Sequence, residues 1–207
     1  MPFMSEPRIP PRPSSDWDAE VLDALSVYRS PRTTRPAQEQ QEKQSEKPKK
    51  RTESNIMGIF TRHPALTKAF FVFNNHLFAS TLSDRVREMV TVRVCWLRRG
   101  EYEWAQHVRM ARNAGLPEEE INAISVGPGS PVWEPPDAAV LRAADEIVTD
   151  RYITDKTWNE LAEHLDRKQL MDLVFTIGAY DLLCMAFNNF GLQLDPGLQG
   201  FPPDEDR

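Results

Sequence analysis

The sequence is poor in cysteine and in signals that address a protein to a membrane. Its two cysteines, Cys95 and Cys184, form no disulfide framework and no CxxC pair, so they fit a reducing compartment as buried small side chains. No apolar run approaches the roughly 20 residues that span a bilayer, and residues 1–13 lack the apolar stretch of a signal peptide. We therefore expect a cytoplasmic protein with no membrane partner.

Excess positive charge is also lacking. The chain carries 25 Lys and Arg against 31 Asp and Glu, a formal net charge of −6. A phosphate backbone has to be met by a basic surface, so this balance argues against a nucleic-acid partner. The four His residues, with no Cys pair beside them, give no metal-ligand spacing. We expect no metal and no other cofactor.

Residues 29–53 interrupt the pattern of the chain. They contain no aliphatic residue larger than Ala, and they hold eight Lys or Arg against four Glu. Such a segment cannot bury enough apolar area to offset the cost of ordering it. We predict an N-terminal arm with a short helix over residues 1–28, a mobile polar linker over 29–54, a helical domain over 55–192 and a loose tail over 193–207.

Apolar periodicity within residues 55–192 indicates helices. Apolar residues recur at three- and four-residue steps, and few stretches alternate as strands do, so we expect an all-α fold. The last predicted helix runs from Arg167 to about Phe190, opens on a capping-box pattern at Asp166 and Gln169, and ends at Gly191. It is apolar on nearly every side, which indicates burial at the centre of the domain or against another subunit.

The stretch from Ser83 to Gly115 carries the candidate chemistry. It predicts two helices separated by a break at residues 98–100, and in the second helix Glu103 and His107 share one face. A carboxylate beside His107 would favour the imidazolium and raise its pKa, which makes His107 a candidate general acid. A desolvated Glu103 could instead act as a base. An isolated pair of this kind is more often a surface ion pair worth about 0.3–0.5 kcal/mol.

Several tracts together resemble the carboxymuconolactone decarboxylase family, which includes the alkyl hydroperoxidase D-like proteins. They are RHPAL (62–66), FNNHL (73–77), YEWAQH (102–107), LRAADE (141–146) and QLMDLVFTIGAYDLL (169–183). The resemblance spans about residues 55–192. It implies a compact orthogonal helical bundle of the alkyl hydroperoxidase D-like type, assembled with copies of itself as a homotrimer or homohexamer.

The family register also assigns positions around the two central helices. The peroxidase branch carries a Glu, a CxxC pair and a His, and on this chain the Glu falls on Glu88 and the His on His107. The two Cys positions fall on Gly100 and Glu103, so both redox residues are missing. CxxC-dependent peroxidase activity is therefore not expected, and the tract 102–107 resembles the decarboxylase-type and uncharacterised branches.

The chemistry that the resemblance implies is decarboxylation of a small carboxylated lactone, or of a related organic acid, in aromatic compound catabolism. Losing CO₂ leaves an electron-rich carbon that needs one proton, which a Glu/His site can supply. The predicted catalytic residues of this lyase are Glu88, Glu103 and His107. The predicted substrate-binding residues are Tyr102, Trp104 and Arg85.

Two other function classes stay open. The chain could be a peroxide-reducing, peroxiredoxin-type antioxidant protein, although Cys95 or Cys184 would then need a resolving partner outside a CxxC motif. It could also be a non-catalytic oligomeric helical scaffold. The Glu/His enzyme is the prediction that the residues and the resemblance jointly favour.

Overall fold

The computed structural model describes residues 6–28 and 54–202 of the 207-residue chain. All regular structure in these two ranges is helical, so the predicted all-α class is confirmed. The predicted linker over 29–53 lies outside the described residues. The α-helices of the described ranges are α1 (Ala19–Ser26), α2 (Asn55–Phe60), α3 (Pro64–Phe78), α4 (Asp84–Leu97), α5 (Glu101–Asn113), α6 (Glu118–Val126), α7 (Pro135–Asp150), α8 (Asp155–Ala162) and α9 (Arg167–Phe190).

The chain divides into two compact units. One consists of Met1–Arg8 together with Ser80–Arg207, and the other of Ile9–Ala79. The predicted division at residues 28, 54 and 192 was drawn from composition and stays a prediction. All the predicted site residues fall in the unit that contains Ser80–Arg207, which is called the larger unit below.

The smaller unit contains α1, α2 and α3. The Asp18 side chain accepts a hydrogen bond from the Val21 backbone N–H at 2.9 Å, which fixes the start of α1. Val21 and Leu25 of α1 then pack with Phe71 of α3 as a buried apolar cluster. This cluster gives α1 a core of its own.

Helix α4 is the centre of the larger unit. Every residue from 87 to 95 is buried, and α4 packs against α5, α6, α7 and α9. Ser83 begins the helix as predicted, because its hydroxyl accepts a hydrogen bond from the Val86 backbone N–H at 3.2 Å. A helix enclosed on all sides places its polar residues in the core, where each of them requires a partner.

Helix α9 has the ends that the sequence predicts. Asp166 accepts hydrogen bonds from the Lys168 and Gln169 backbone N–H groups, and the Gln169 side chain accepts one from the Asp166 N–H, which completes a capping box. Gly191 ends the helix in the left-handed region at φ 69°. The predicted boundaries at Arg167 and Phe190 are therefore confirmed.

The apolar surface of α9 is only partly covered. By length and composition, α9 is the one helix of the described residues that could cross a bilayer, so the expectation that no run approaches that length was wrong. More than half of its most apolar window is buried, as in a core helix. Met171, Phe175, Leu182 and Met185 stay exposed. Another copy of the chain could cover them, and homo-oligomeric assembly stays a prediction.

Gly100 lies at the close contact between the α4–α5 connection and α9. Its backbone N–H donates to the Cys95 carbonyl at 2.9 Å. A methyl group on its Cα would lie 2.3 Å from Cys184 Sγ and 2.9 Å from Cys184 Cβ. Its φ of −83° is open to any residue. Glycine is therefore required here by space and not by backbone conformation.

We predict that Gly100→Ala lowers the free energy of unfolding by about 1–3 kcal/mol, because the added methyl forces α9 or the connection to move. Gly129→Ala is the control, since a methyl there meets no atom within 4 Å. Denaturant unfolding of both variants measures the difference. Equal stability of the two variants would show that the contact at Gly100 relaxes without cost.

Candidate active site

Three of the predicted site residues meet in a buried cluster between α4 and α5. His107 Nδ1 lies 2.7 Å from Glu88 Oε2, and His107 Nε2 lies 3.3 Å from Glu103 Oε2. The exposed fractions are 1% for Glu88, 4% for Glu103 and 4% for His107. The structure thus brings together the residues that the family register aligns, and their catalytic roles stay predictions.

Local sequence explains how the cluster forms. Residues 98–100 connect α4 to α5 so closely that the two helices pack along each other. Glu103 and His107 are one helical turn apart, and both point at α4. Glu88 lies on the facing side of α4, where the imidazole of His107 bridges the two carboxylates.

The electrostatics of the cluster favour an imidazolium. Burial is the largest single influence on the pKa of His107, and it lowers that pKa. The negative charge of Glu88 and the hydrogen bonds that the ring donates to both carboxylates outweigh the effect of burial. Together they raise the pKa of His107 to about 9. Near neutral pH both ring nitrogens therefore carry protons, and each N–H donates to one carboxylate.

Arg87 supports Glu88 from the other side, and the sequence analysis missed it. Its Nε donates to Glu88 Oε1 at 3.0 Å, and its Nη1 donates to Asp84 Oδ1 at 2.7 Å. The guanidinium is buried, which tends to lower its pKa, but the charges of Glu88 and Asp84 keep the pKa of Arg87 raised. Arg87 lies beside the apolar stripe of α4, a position that periodicity assigns to solvent.

Tyr180 of α9 closes the third side of the cluster and was also missed. Its ring meets that of His107 edge to face, with centroids 4.7 Å apart, and it is 1% exposed. Burial, together with the charges of Glu88 and Glu103, raises the pKa of the Tyr180 phenol well above its ordinary value. Tyr180 therefore stays protonated beside the imidazole.

A cavity of about 290 Å³ lies at the beginning of α5. Its wall comes from residues 100–103, from the last turns of α9 and from residues 191–194 after it. Of the three clustered residues, Glu103 is among the described residues that line this cavity. Glu88 and His107 do not line it. The prediction placed the pocket between the helices of Glu88 and Glu103, whereas this cavity lies at their end, towards α9.

One oxygen of Glu103 has no partner in the described part of the chain. Its Oε2 faces His107, while its buried Oε1 accepts no hydrogen bond there. A buried acceptor left unpaired costs about 1–3 kcal/mol, and more when it is charged. Glu103 therefore combines an unpaired buried acceptor with a place in the cavity wall.

The two predicted aromatic residues divide between the cavity and its surroundings. Tyr102 lines the cavity, and its hydroxyl donates to Asp195 Oδ2 at 2.6 Å. Trp104 packs instead with Trp96 and Phe201, at ring-centroid distances of 5.1 and 5.2 Å. Trp104 therefore supports α5 from outside the cavity wall.

Arg85 is committed to other carboxylates. Its Nη2 lies 2.7 Å from Glu120 Oε2 and 2.9 Å from Asp137 Oδ2. The described residues that line the cavity include no Lys or Arg. The predicted role of Arg85 in holding a substrate carboxylate stays a prediction that this geometry does not favour. The described residues also contain no group of three or more His, Cys, Asp or Glu arranged to hold a metal ion.

Comparison with solved structures gives the fold class. The chain is similar to the debrominase Bmp8 in complex with 2,3,4-tribromopyrrole, with a TM-score of 0.70, 12% identity and coverage of 93% of this chain and 94% of that one. It is similar to an alkylhydroperoxidase AhpD core protein, peroxidase-related and uncharacterized, from Ralstonia eutropha JMP134 (TM-score 0.67, 15% identity, coverage 91% and 93%). At these identities the likeness shows an AhpD-like helical fold.

Two further comparisons bear on the family. A protein of unknown function from Agrobacterium tumefaciens, suggested to be the antioxidant defence protein AhpD, matches with a TM-score of 0.60 and 24% identity over 65% of this chain and 93% of that one. No curated protein matches the chain. Residues 64–146 match the model of the Carboxymuconolactone decarboxylase family. The matched residues make up less than half of the chain, so this part of the chain is similar to the carboxymuconolactone decarboxylase family.

The raised pKa of His107 predicts a pH dependence of stability. The pKa of His107 in the folded state is about 9, above its ordinary value of 6.5. The contribution of the protonated His107 to the free energy of unfolding is therefore complete below pH 6.5 and is lost as pH rises through 9. The expected loss of unfolding free energy is about 3 kcal/mol. Denaturant unfolding at a series of pH values measures it. In His107→Gln the free energy of unfolding should change less with pH between pH 6.5 and 9. An equal pH dependence in both proteins would contradict the assignment of this effect to His107.

Proposed function

We propose that the chain is a carboxymuconolactone decarboxylase-like enzyme that transfers a proton to or from a small lactone or related organic acid. The observation that carries the proposal is the buried sequence of contacts from Glu88 through His107 to Glu103, which ends in an unpaired carboxylate oxygen of a cavity-lining residue. Within the described residues, Glu103 is the member of the cluster that also lines the cavity.

The geometry gives each residue a distinct part in the proposed chemistry. Glu103 Oε1 is the group that exchanges a proton with the bound molecule. His107, as an imidazolium, donates to the other oxygen of Glu103 and stabilises its negative charge when the proton has left. Glu88 holds Nδ1 and so fixes the ring, and Arg87 donates a hydrogen bond to the other oxygen of Glu88. In this proposal Glu103, rather than His107, is the residue that touches the substrate, because Glu103 lines the cavity.

A decarboxylation would use these parts as follows. The bond between the substrate carbon and its carboxylate breaks, CO₂ leaves, and the electron pair stays on the carbon as an enolate. Glu103 is a carboxylate at rest and takes up a proton from solvent at Oε1 before the bond breaks. It gives this proton to the carbon and returns to the carboxylate that His107 stabilises. The positive end of the α5 dipole lies at the same cavity and favours the negative charge that develops there.

The size and charge of the cavity bear on the substrate. A volume of about 290 Å³ suits a small molecule. With Glu101 and Glu103 in its wall and no Lys or Arg among its described residues, a substrate carboxylate would depend on the amide groups at the start of α5. The peroxide-reducing branch carries its two cysteines at the positions that Gly100 and Glu103 occupy in this chain. This difference disfavours the peroxide-reducing alternative.

The proposal predicts that Glu103→Gln lowers turnover by about 100- to 10,000-fold, the usual contribution of a positioned acid or base. The full chain would be incubated with a panel of small carboxylated lactones. Release of CO₂ and uptake of solvent deuterium into the product would be followed by NMR. The amide keeps the shape of Glu103 but cannot exchange a proton at Oε1.

Glu101→Gln is the matched control, because Glu101 lines the same cavity in the same helical turn but has no contact with His107 in the described structure. Its turnover should stay within a small factor of the unchanged protein. Equal losses in both variants would point to the charge of the cavity instead of to proton transfer at Glu103. Full turnover in Glu103→Gln would refute the proposal.

A further inference from the structure

The two cysteines of the chain are close neighbours in the core of the larger unit. Cys95 lies on α4 and Cys184 on α9; both are free and fully buried. The side chain of Cys184 is close enough to that of Cys95 to raise the pKa of the Cys95 thiol. Gly100 gives the same proximity independently. Its N–H donates to the Cys95 carbonyl, and a methyl group on its Cα would lie 2.3 Å from Cys184 Sγ. Residues 89 positions apart in the chain thus form a dithiol pair.

Of the two cysteines, Cys184 is the one that lines the cavity. Cys184 is part of the cavity wall, between the start of α5 and the last turns of α9. Cys95 does not line the cavity, and among the described residues it is reached through Cys184. The pair therefore has an order: a molecule in the cavity meets Cys184 first and Cys95 second.

The surroundings of Cys95 support this order. Burial raises the pKa of the Cys95 thiol well above its usual range, and the contact with Cys184 and the charges of Glu103 and Glu88 add to the effect. A thiol that stays protonated is a poor first nucleophile, because the thiolate is the attacking form. Resolving a mixed disulfide also needs a thiolate, so Cys95 acts second because of its position behind Cys184. The closeness of the two sulfurs makes that attack intramolecular, which offsets the raised pKa of Cys95.

We propose that Cys184 and Cys95 form a thiol–disulfide exchange site that takes a small, uncharged disulfide from the cavity. Cys184 Sγ attacks one sulfur of the disulfide, and one thiol leaves. Cys95 Sγ then attacks Cys184 Sγ, and the second thiol leaves. Two cysteine thiols and one disulfide thus give a Cys95–Cys184 disulfide and two small thiols, which carry away both cysteine protons.

The size and charge of the cavity set the class of oxidant. About 290 Å³ admits a disulfide with short substituents but not one with peptide-sized arms. Glu101 and Glu103 in the wall disfavour an anionic reagent. A small neutral disulfide should therefore react, and oxidised glutathione, which is both larger and negatively charged, should react far more slowly.

The test treats the native full chain with hydroxyethyl disulfide and follows free thiols and intact mass. We expect both thiols to disappear with the loss of two hydrogens, and dithiothreitol to restore them. Cys95→Ala should stop at a mixed disulfide on Cys184. Cys184→Ala should leave Cys95 reacting at least about tenfold more slowly, because the entry thiol is gone. Circular dichroism confirms that each variant is folded, and Cys→Ser versions replace any that is not.

The proposal is overturned if the folded unchanged protein keeps both thiols and loses them only on unfolding. It is also overturned if Cys184→Ala reacts as fast as the unchanged protein, or if oxidation joins two chains instead of two helices. These outcomes are independent of Glu103→Gln turnover, so a failure here does not affect the proposed acid–base function.

Discussion

The pairing of charges inside the larger unit is the constraint on which the rest of the structure depends. A buried carboxylate is costly unless a cation and hydrogen bonds offset its lost hydration. His107 meets this need for both Glu88 and Glu103, and Arg87 holds the remaining oxygen of Glu88. Removing one partner would leave a buried charge uncompensated. Helices α4 and α5 are therefore held in the register that the cluster defines.

The pairing is incomplete at one atom, which belongs to a residue of the cavity wall. Most buried polar groups in proteins are hydrogen-bonded, so an exception calls for an explanation. Glu103 Oε1 is such an exception within the described residues, and Glu103 lines the cavity at the start of α5. Cys184 lines the same cavity, with Cys95 behind it. The cavity wall thus holds both the carboxylate that we propose to transfer a proton and one thiol of the proposed exchange pair.

The sequence predicted the parts of this arrangement that leave local signals. A capping box and a glycine mark the ends of α9, and the family register placed Glu88 opposite His107. Arg87 was missed because its position off the apolar stripe of α4 is typical of a solvated residue. The contact between Cys95 and Cys184 joins distant helices, which periodicity cannot predict. The position of the cavity depends on the path of residues 191–194, whose sequence indicates no particular fold.

The central claim is that His107 is an imidazolium held between two buried carboxylates. Heteronuclear NMR of the imidazole nitrogens in histidine-labelled protein tests it most directly, because the chemical shifts report which nitrogens carry protons. The account predicts that both nitrogens of His107 are protonated near neutral pH and that the ring titrates near pH 9. A neutral ring with one protonated nitrogen, titrating near the ordinary value of 6.5, would contradict it.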